Sequence, residues 1–406
     1  MSRTEYLAEA LAALEAAGRR RGRRELETTQ GAHIRLDGRD VVNFSSNDYL
    51  GLAAHPVVRA AASAAAERWG AGAGSSRLVV GNTGAHAALE AALAAWGRRA
   101  AIGFNSGYAA NTGILGTLVG DGDAIFSDAL NHASLIDGCR LTRAAVKIYR
   151  HLDLDHLEQQ LRATPARRRV VVTESVFSMD GDCTDLAAVA RIADAADALL
   201  FVDEAHAIGI AGPEGRGVAA AQGVTPDLLV GTIGKALGVY GAFAWTEPAV
   251  AEWLWNRARP LVFTTGLPPM VVAAATAAVE IVRSAEGDRL RAALQARVGE
   301  ALAGIAVLGL RASANVAPES AIVPVVVGDD RRVMECTQRM LARGVFVQGI
   351  RPPTVPEGTA RLRITLSAAH SREDVGRLLE GLGDLVRDGL ISPPAPVPVP
   401  RGTQTR

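Results

Sequence analysis

Only two of the 43 basic residues are lysines, Lys147 and Lys235; the rest are arginine. A guanidinium stays protonated at any working pH and meets every need for positive charge, whereas carbonyl chemistry at nitrogen needs an amine that can lose its proton. Lys147 lies in AAVKIYRH, where apolar and polar positions alternate as in a half-exposed strand, and a solvated amine accounts for it. Lys235 lies in GTIGKALG, between glycines that let a backbone or a ligand come close. Upstream, ALLFVDEAHAIG reads as an apolar strand ending in Asp203, with His206 following. Ligands of open α/β sheets gather at the carboxyl ends of strands, although an acid and a histidine at a strand end also serve as a loop cap or ion pair. DEAH resembles the acidic box of nucleic-acid helicases, but no GxxxxGK[ST] phosphate loop precedes it, and the one Gly-Lys pair is followed by Ala236.

An aspartate and a lysine on successive strands suit pyridoxal phosphate, which needs a lysine for its aldehyde and a carboxylate to keep its ring nitrogen protonated. VTESVFSMDGD, VDEAHAIG with EGRG after it, and TIGKALG resemble the α-oxoamine synthases among the fold-type I pyridoxal phosphate enzymes, which join an amino acid to an acyl thioester. NFSSNDYLGL and IRPPTVPEGTARLRITLSAAH are similar to the members that take L-alanine and a pimeloyl thioester in biotin biosynthesis, and the likeness runs from about Arg21 to Val386. Sister enzymes that use glycine or serine stay open, as does a catalytically silent subunit that keeps only the fold. So does the thioester carrier, pimeloyl-CoA or pimeloyl acyl carrier protein.

The resemblance implies a role for each matching residue. Lys235 holds the cofactor and acts as base, Asp203 faces the ring nitrogen, His132 stacks on the ring and touches substrate, and Ser178 and His206 bond the ring hydroxyl region. Gly107 and Tyr108, in the strand-to-helix turn GFNSGYAAN, and Thr232 bind the cofactor phosphate, helped by Thr264 or Thr265 of a partner subunit. An amino-acid carboxylate suits a guanidinium, and the family pattern favours Arg363 over Arg361. Arg21 and Thr354 match residues on the acyl substrate, which reaches the site across a homodimer interface; Arg20 and Arg23 rival Arg21 within RRRGRR.

Composition excludes other classes. Net charge is zero and pI near 7.1, so nothing points to nucleic acid or a membrane surface. Three scattered cysteines form no CxxC pair and suggest neither a disulfide framework nor a metal site. No apolar run reaches membrane-spanning length and the first residues lack a leader pattern, so a cytoplasmic protein is expected.

The elements that must position these residues follow from the hydrophobic pattern. A helix over Thr4 to Ala17, a hairpin turning on Asp37-Gly38 and a helix from Pro56 to Trp69 precede a glycine-rich loop expected to face the site. From Arg99 the runs AAIGF, DAIFS, AVKIY, RVVVTES, LLFVDE, DLLVGT and GAFAW alternate with helical segments, which predicts an α/β fold with a mostly parallel sheet covered by helices. One long helix from Pro269 to Ala303 should bridge to a smaller α+β domain with strands in AIVPVVVG, VFVQGI and RLRITLS. With the resemblance, the expectation is a fold-type I pyridoxal phosphate transferase: an N-terminal helix and hairpin arm over 1–50, a large cofactor-binding domain over 51–268, a bridging helix and small domain over 269–392, and a proline-rich, disordered tail over 393–406.

Overall fold

The computed structural model describes residues 3–310, 317 and 319–392, so the tail lies outside the described residues. In chain order the elements are α1 (Glu5–Ala16), β1 (His33–Leu36), β2 (Arg39–Asn43), α2 (Pro56–Trp69), α3 (Gly84–Gly97), β3 (Ala100–Phe104), α4 (Gly107–Leu118), β4 (Ala124–Asp128), α5 (Ala133–Arg140), β5 (Ala145–Tyr149), α6 (Leu154–Ala163) and β6 (Arg169–Glu174). They continue with α7 (Leu186–Ala195), β7 (Ala198–Asp203), α8 (Val218–Ala221), β8 (Leu228–Thr232), β9 (Ala242–Thr246), α9 (Pro248–Arg257), α10 (Arg259–Val262), α11 (Pro269–Val282), α12 (Ala285–Val307), β10 (Ile322–Gly328), α13 (Asp330–Ala342), β11 (Val345–Phe346), β12 (Gln348–Ile350), β13 (Ala360–Thr365) and α14 (Arg372–Arg387).

Seven strands form the central sheet in the order β3-β9-β8-β7-β6-β4-β5. β8, β7, β6, β4 and β5 run parallel, and β9 lies antiparallel between β3 and β8. β4, β8 and β9 are buried at every residue, which is why they read as unbroken apolar runs. β5 is one of the two edge strands and is exposed or half-buried at every residue before Tyr149, without the alternation expected of it; Lys147 sits there, half-buried. The parallel strands bring Asp128, Glu174, Asp203 and Thr232 to one edge of the sheet as the last residues of β4, β6, β7 and β8.

Two expectations need correction. The segment from Pro269 is not one helix, because α11 ends at Val282 and α12 begins after Ser284, whose hydroxyl caps the Glu286 amide at 3.1 Å. The Arg291 guanidinium donates to the freed Val282 carbonyl at 2.9 Å, and a Cβ at Gly287 would overlap that carbonyl. VFVQGI is not one strand either. β11 pairs in parallel with β2 of the N-terminal hairpin, while β12 pairs with β13, itself antiparallel to β10. The divide falls where Ser45 comes in, its hydroxyl accepting from the Gln348 amide at 2.9 Å. The hairpin turn itself forms as expected, with Asp37 and Gly38 at φ 50° and 75°.

Candidate active site

The carboxyl edge of the sheet assembles one connected group. Asp203 Oδ1 accepts from the Ala205 amide at 2.8 Å, and Oδ2 accepts from Asn111 Nδ2 of α4 at 2.7 Å. Asn111 also donates to Ser134 Oγ at 2.9 Å, and Ser134 Oγ lies 2.8 Å from His132 Nδ1. His132 is the residue before α5, and its ring nitrogen caps the Ser134 amide. The β6 and β7 registers pair Glu174 with Asp203, and Glu174 Oε1 accepts from the His132 amide at 2.5 Å.

Lys235 enters from the turn after β8, closed by the Gly238 amide on the Lys235 carbonyl at 2.8 Å. Its Nζ lies 2.8 Å from His206 Nε2, and His206 Nδ1 lies 2.6 Å from the Tyr49 hydroxyl. That hydroxyl donates to Asn47 Oδ1 at 3.3 Å, which also accepts from Arg363 Nη1 at 3.2 Å. One proton arrangement satisfies the whole chain. The lysine ammonium donates to Nε2 of a neutral imidazole, Nδ1–H donates to tyrosine, and tyrosine donates to asparagine.

Electrostatics sort these groups. Desolvation lowers the Lys235 amine to about 8, with the nearby Arg363 charge adding to it and Asp203 and Glu174 opposing it. Burial drives His206 well below its ordinary value, and the charges of Lys235, Arg363 and His132 reinforce that, so it is neutral. Burial also lowers His132, against the pull of Asp203. Glu174 is raised well above the usual carboxylate range, by burial first and by the Asp203 charge second.

Other expected residues surround this group. Ser106 caps α4 through the Ala109 amide at 3.1 Å, leaving the Gly107 and Tyr108 amides outside the cap. Tyr108 is half exposed and its hydroxyl meets Asp137. Thr232 Oγ1 accepts from the Gly234 amide at 3.1 Å and donates to the Gly241 carbonyl at 3.2 Å, so it braces the lysine turn. Asn105 Nδ2 donates to the Thr265 carbonyl at 2.8 Å and reaches Thr264 Oγ1 at 3.5 Å, joining that segment to the β3–α4 turn.

The two small-sheet arginines part company. Arg363 Nε donates to the Ser178 carbonyl at 2.7 Å, and its charge reaches Lys235, His206 and Tyr49. Arg361 is tied to Asp180 and the Met179 carbonyl. Arg21 donates to Thr354 Oγ1 at 3.2 Å, and both line a cavity of about 550 Å³ with Arg20, Arg23 and Arg351. None of the lysine group lines that cavity, so within one chain these two stand apart from the rest.

Sequence reasoning passed over Tyr49, Asn47, Asn111 and Glu174. Three lie inside strings that carried the resemblance, NFSSNDYLGL and VTESVFSMDGD, and Asn111 lies in the turn GFNSGYAAN, but their contacts span long sequence separations, 157 residues for Tyr49 to His206 and 92 for Asn111 to Asp203.

The family model for class I and II aminotransferases matches residues 39–382. The chain belongs to that family, and within it to the α-oxoamine synthases. An 8-amino-7-oxononanoate synthase of Anaeromyxobacter dehalogenans is 50% identical over 97% of this chain and 98% of the relative. Among solved structures, a serine palmitoyltransferase of S. paucimobilis with bound pyridoxal phosphate and myriocin superimposes with a TM-score of 0.90 at 32% identity, covering 96% of this chain and 99% of that one. An 8-amino-7-oxononanoate synthase of Francisella tularensis gives 0.74 at 28% identity, covering 86% and 99%. The donor set fits pyridoxal phosphate: a desolvated amine with a lowered proton affinity, a carboxylate fixed by two donors on the next strand end, and a neutral imidazole bonded to the amine.

Proposed function

We propose that the chain condenses L-alanine with a pimeloyl thioester, with loss of CO2, to give 8-amino-7-oxononanoate for biotin biosynthesis. Near-complete coverage at 50% identity to a synthase of that name carries the reading. The higher TM-score to the serine palmitoyltransferase reports backbone shape at 32% identity, and shape does not choose among amino acids.

Lys235 would hold the cofactor aldehyde, Asp203 its ring nitrogen, His132, Ser178 and His206 its ring, and Gly107, Tyr108 and Thr232 its phosphate. When bound, pyridoxal phosphate supplies the electron sink for negative charge at the amino-acid Cα. Lys235 takes and returns the Cα proton: an amine brought to about 8 is partly free at neutral pH and still basic enough to act. His206, neutral and fixed by Tyr49, accepts from the lysine and aims it. Arg363 receives the amino-acid carboxylate, supported by its place beside Lys235. Arg21 and Thr354 receive the acyl thioester of a partner subunit, supported by their shared arginine-rich cavity. A homodimer is supported by exposed apolar side chains, Tyr6, Leu7 and Leu11 of α1 and Phe263 beside Thr264.

The test is the visible spectrum of protein loaded with pyridoxal phosphate, titrated with L-alanine, glycine and L-serine and then given pimeloyl-CoA, with product identified by mass. Alanine should shift the lysine-dependent band and alone yield the oxononanoate. Faster turnover of glycine or serine would assign the chain to a sister enzyme.

A further inference from the structure

His151, in the turn after β5, makes two carboxylate contacts. Its Nδ1 lies 2.8 Å from Asp128 Oδ1 and its Nε2 lies 2.8 Å from Asp182 Oδ2. Only a doubly protonated imidazole donates through both nitrogens; a neutral ring would turn a lone pair toward one buried carboxylate. The ring also meets Phe177 edge-on, at 4.4 Å between centroids.

Asp128 organises the turn that leads to His132 with its carboxylate, and Asp182 belongs by its backbone to the turn that carries Ser178. Asp128 closes β4 and accepts from the Leu130 and Leu152 amides at 2.9 and 3.0 Å, which shapes the turn leading to His132. Asp182 closes a tight turn in which its carbonyl accepts from the Phe177 amide at 3.0 Å and the Phe177 carbonyl accepts from the Gly181 amide at 2.9 Å. That turn carries Ser178, whose carbonyl holds Arg363. Its Gly181 has φ 69° and packs on the Ile322 carbonyl of β10, so it bridges the central and small sheets.

We propose that His151 is a positioning residue for the reaction: by bridging Asp128 and Asp182 it holds the His132 turn and the Ser178 turn in one geometry and so keeps Arg363 aligned with the lysine. The inference rests on the proposed function only for the identity of the amino acid whose binding is followed.

The surrounding charges give the clasp a pH range. Burial alone would lower His151, but Asp128 and Asp182 outweigh it and raise it to about 9. Burial raises Glu174, Tyr149 and Cys183 nearby, with the charge of Asp128 adding at the first two and that of Asp182 at the third. Arg150 next door is paired outward with Asp153. A raised histidine stabilises fully below its ordinary value and loses that contribution as pH rises through about 9. The clasp is therefore closed at neutral pH and opens in alkali.

The experiment follows hydrogen exchange of residues 176–182, corrected for intrinsic rates, together with KM for the amino acid and kcat across pH, in the cofactor-loaded protein and in His151→Phe. In the parent, exchange and KM should hold steady through neutrality and rise above about 9. In His151→Phe both should sit at the alkaline level at every pH, with KM up by roughly tenfold and kcat within about threefold. Wild-type protection and KM in His151→Phe at neutral pH would overturn the proposal. If that variant fails to fold, Asp182→Asn should move the alkaline rise to lower pH, and an unmoved rise overturns it equally. The exchange readout needs no substrate, so it separates failure here from a wrong amino acid.

Discussion

Lys235 Nζ and the Tyr49 hydroxyl bond to opposite nitrogens of one imidazole, at 2.8 and 2.6 Å from His206 Nε2 and Nδ1. Since burial keeps that ring neutral, tyrosine, by accepting from Nδ1–H, decides which nitrogen carries the proton and leaves the Nε2 lone pair to the lysine. A side chain of NFSSNDYLGL thus sets the direction of a hydrogen bond at TIGKALG.

Tyr49→Phe leaves the buried Nδ1 without its oxygen partner. An unsatisfied buried donor costs about 1–3 kcal/mol, so kcat/KM should fall by roughly tenfold to a hundredfold. Steady-state kinetics checks this, and an unchanged kcat/KM would show that the ring keeps its tautomer without help.

The lowered amine of Lys235 has a signed consequence for the cofactor-free protein. Between about 8 and its ordinary value of 10.5 the unfolded chain binds this proton and the folded chain does not. Stability from this group therefore rises with pH across that window, and its deficit is fully present below it. His151 acts in the opposite direction near 9, so the measurement is the difference between parent and Lys235→Ala in denaturant melts at several pH values. The parent should gain on the variant as pH rises. Lys235→Ala should also abolish turnover.

Arg363→Lys and Arg361→Lys should separate binding from stability. The first removes a planar donor that spans Ser178, Asn47 and Thr365, and should raise KM for the amino acid by roughly tenfold or more. The second weakens a pair with Asp180 on a strand that is buried throughout, and should cost about 2–3 kcal/mol while changing KM much less. Kinetics and denaturation on the same two variants decide it; a larger KM effect at Arg361 would reverse the assignment.

Most of the large sheet was legible because its strands are buried on both faces and read as apolar runs, while glycines and helix caps mark their ends. Lys235, Asp203, His132 and His206 stood out because lysine is rare and the motifs are ordered. Strand order was not legible: β9 lies between β3 and β8, and no local pattern says so. The break at Ser284 carries a local cap signal, a serine two residues before Glu286, but it lies between two alanine-rich helical stretches, and the side chain that meets the freed Val282 carbonyl, Arg291, comes nine residues later. VFVQGI split for a similar reason, since the strands that claim its two halves, β2 and β13, lie far away in sequence. Arg361 and Arg363 alternate in one strand with the same residue type, and only their partners, Asp180 and Ser178, tell them apart.

The glycines flanking Lys235 give the last prediction. Gly238 has φ 68°, and a Cβ there would overlap the backbone of Leu52 and Ala53. That backbone cannot retreat, because Asp48 holds the Leu52 and Ala53 amides at 2.8 and 3.1 Å. Gly238→Ala should therefore cost about 1–3 kcal/mol from its backbone conformation alone, displace the Lys235 turn and weaken cofactor retention. Gly234 differs: a Cβ there would meet Thr232 Oγ1 at 3.5 Å, an ordinary contact. Gly234→Ala should fold with stability within about 1 kcal/mol of the parent. Denaturation and the lysine-dependent absorbance band on both variants complete the test. If Gly234→Ala folds normally yet loses the band, the space beside the lysine serves the ligand; if it keeps the band, only Gly238 is required, and by the chain's own backbone.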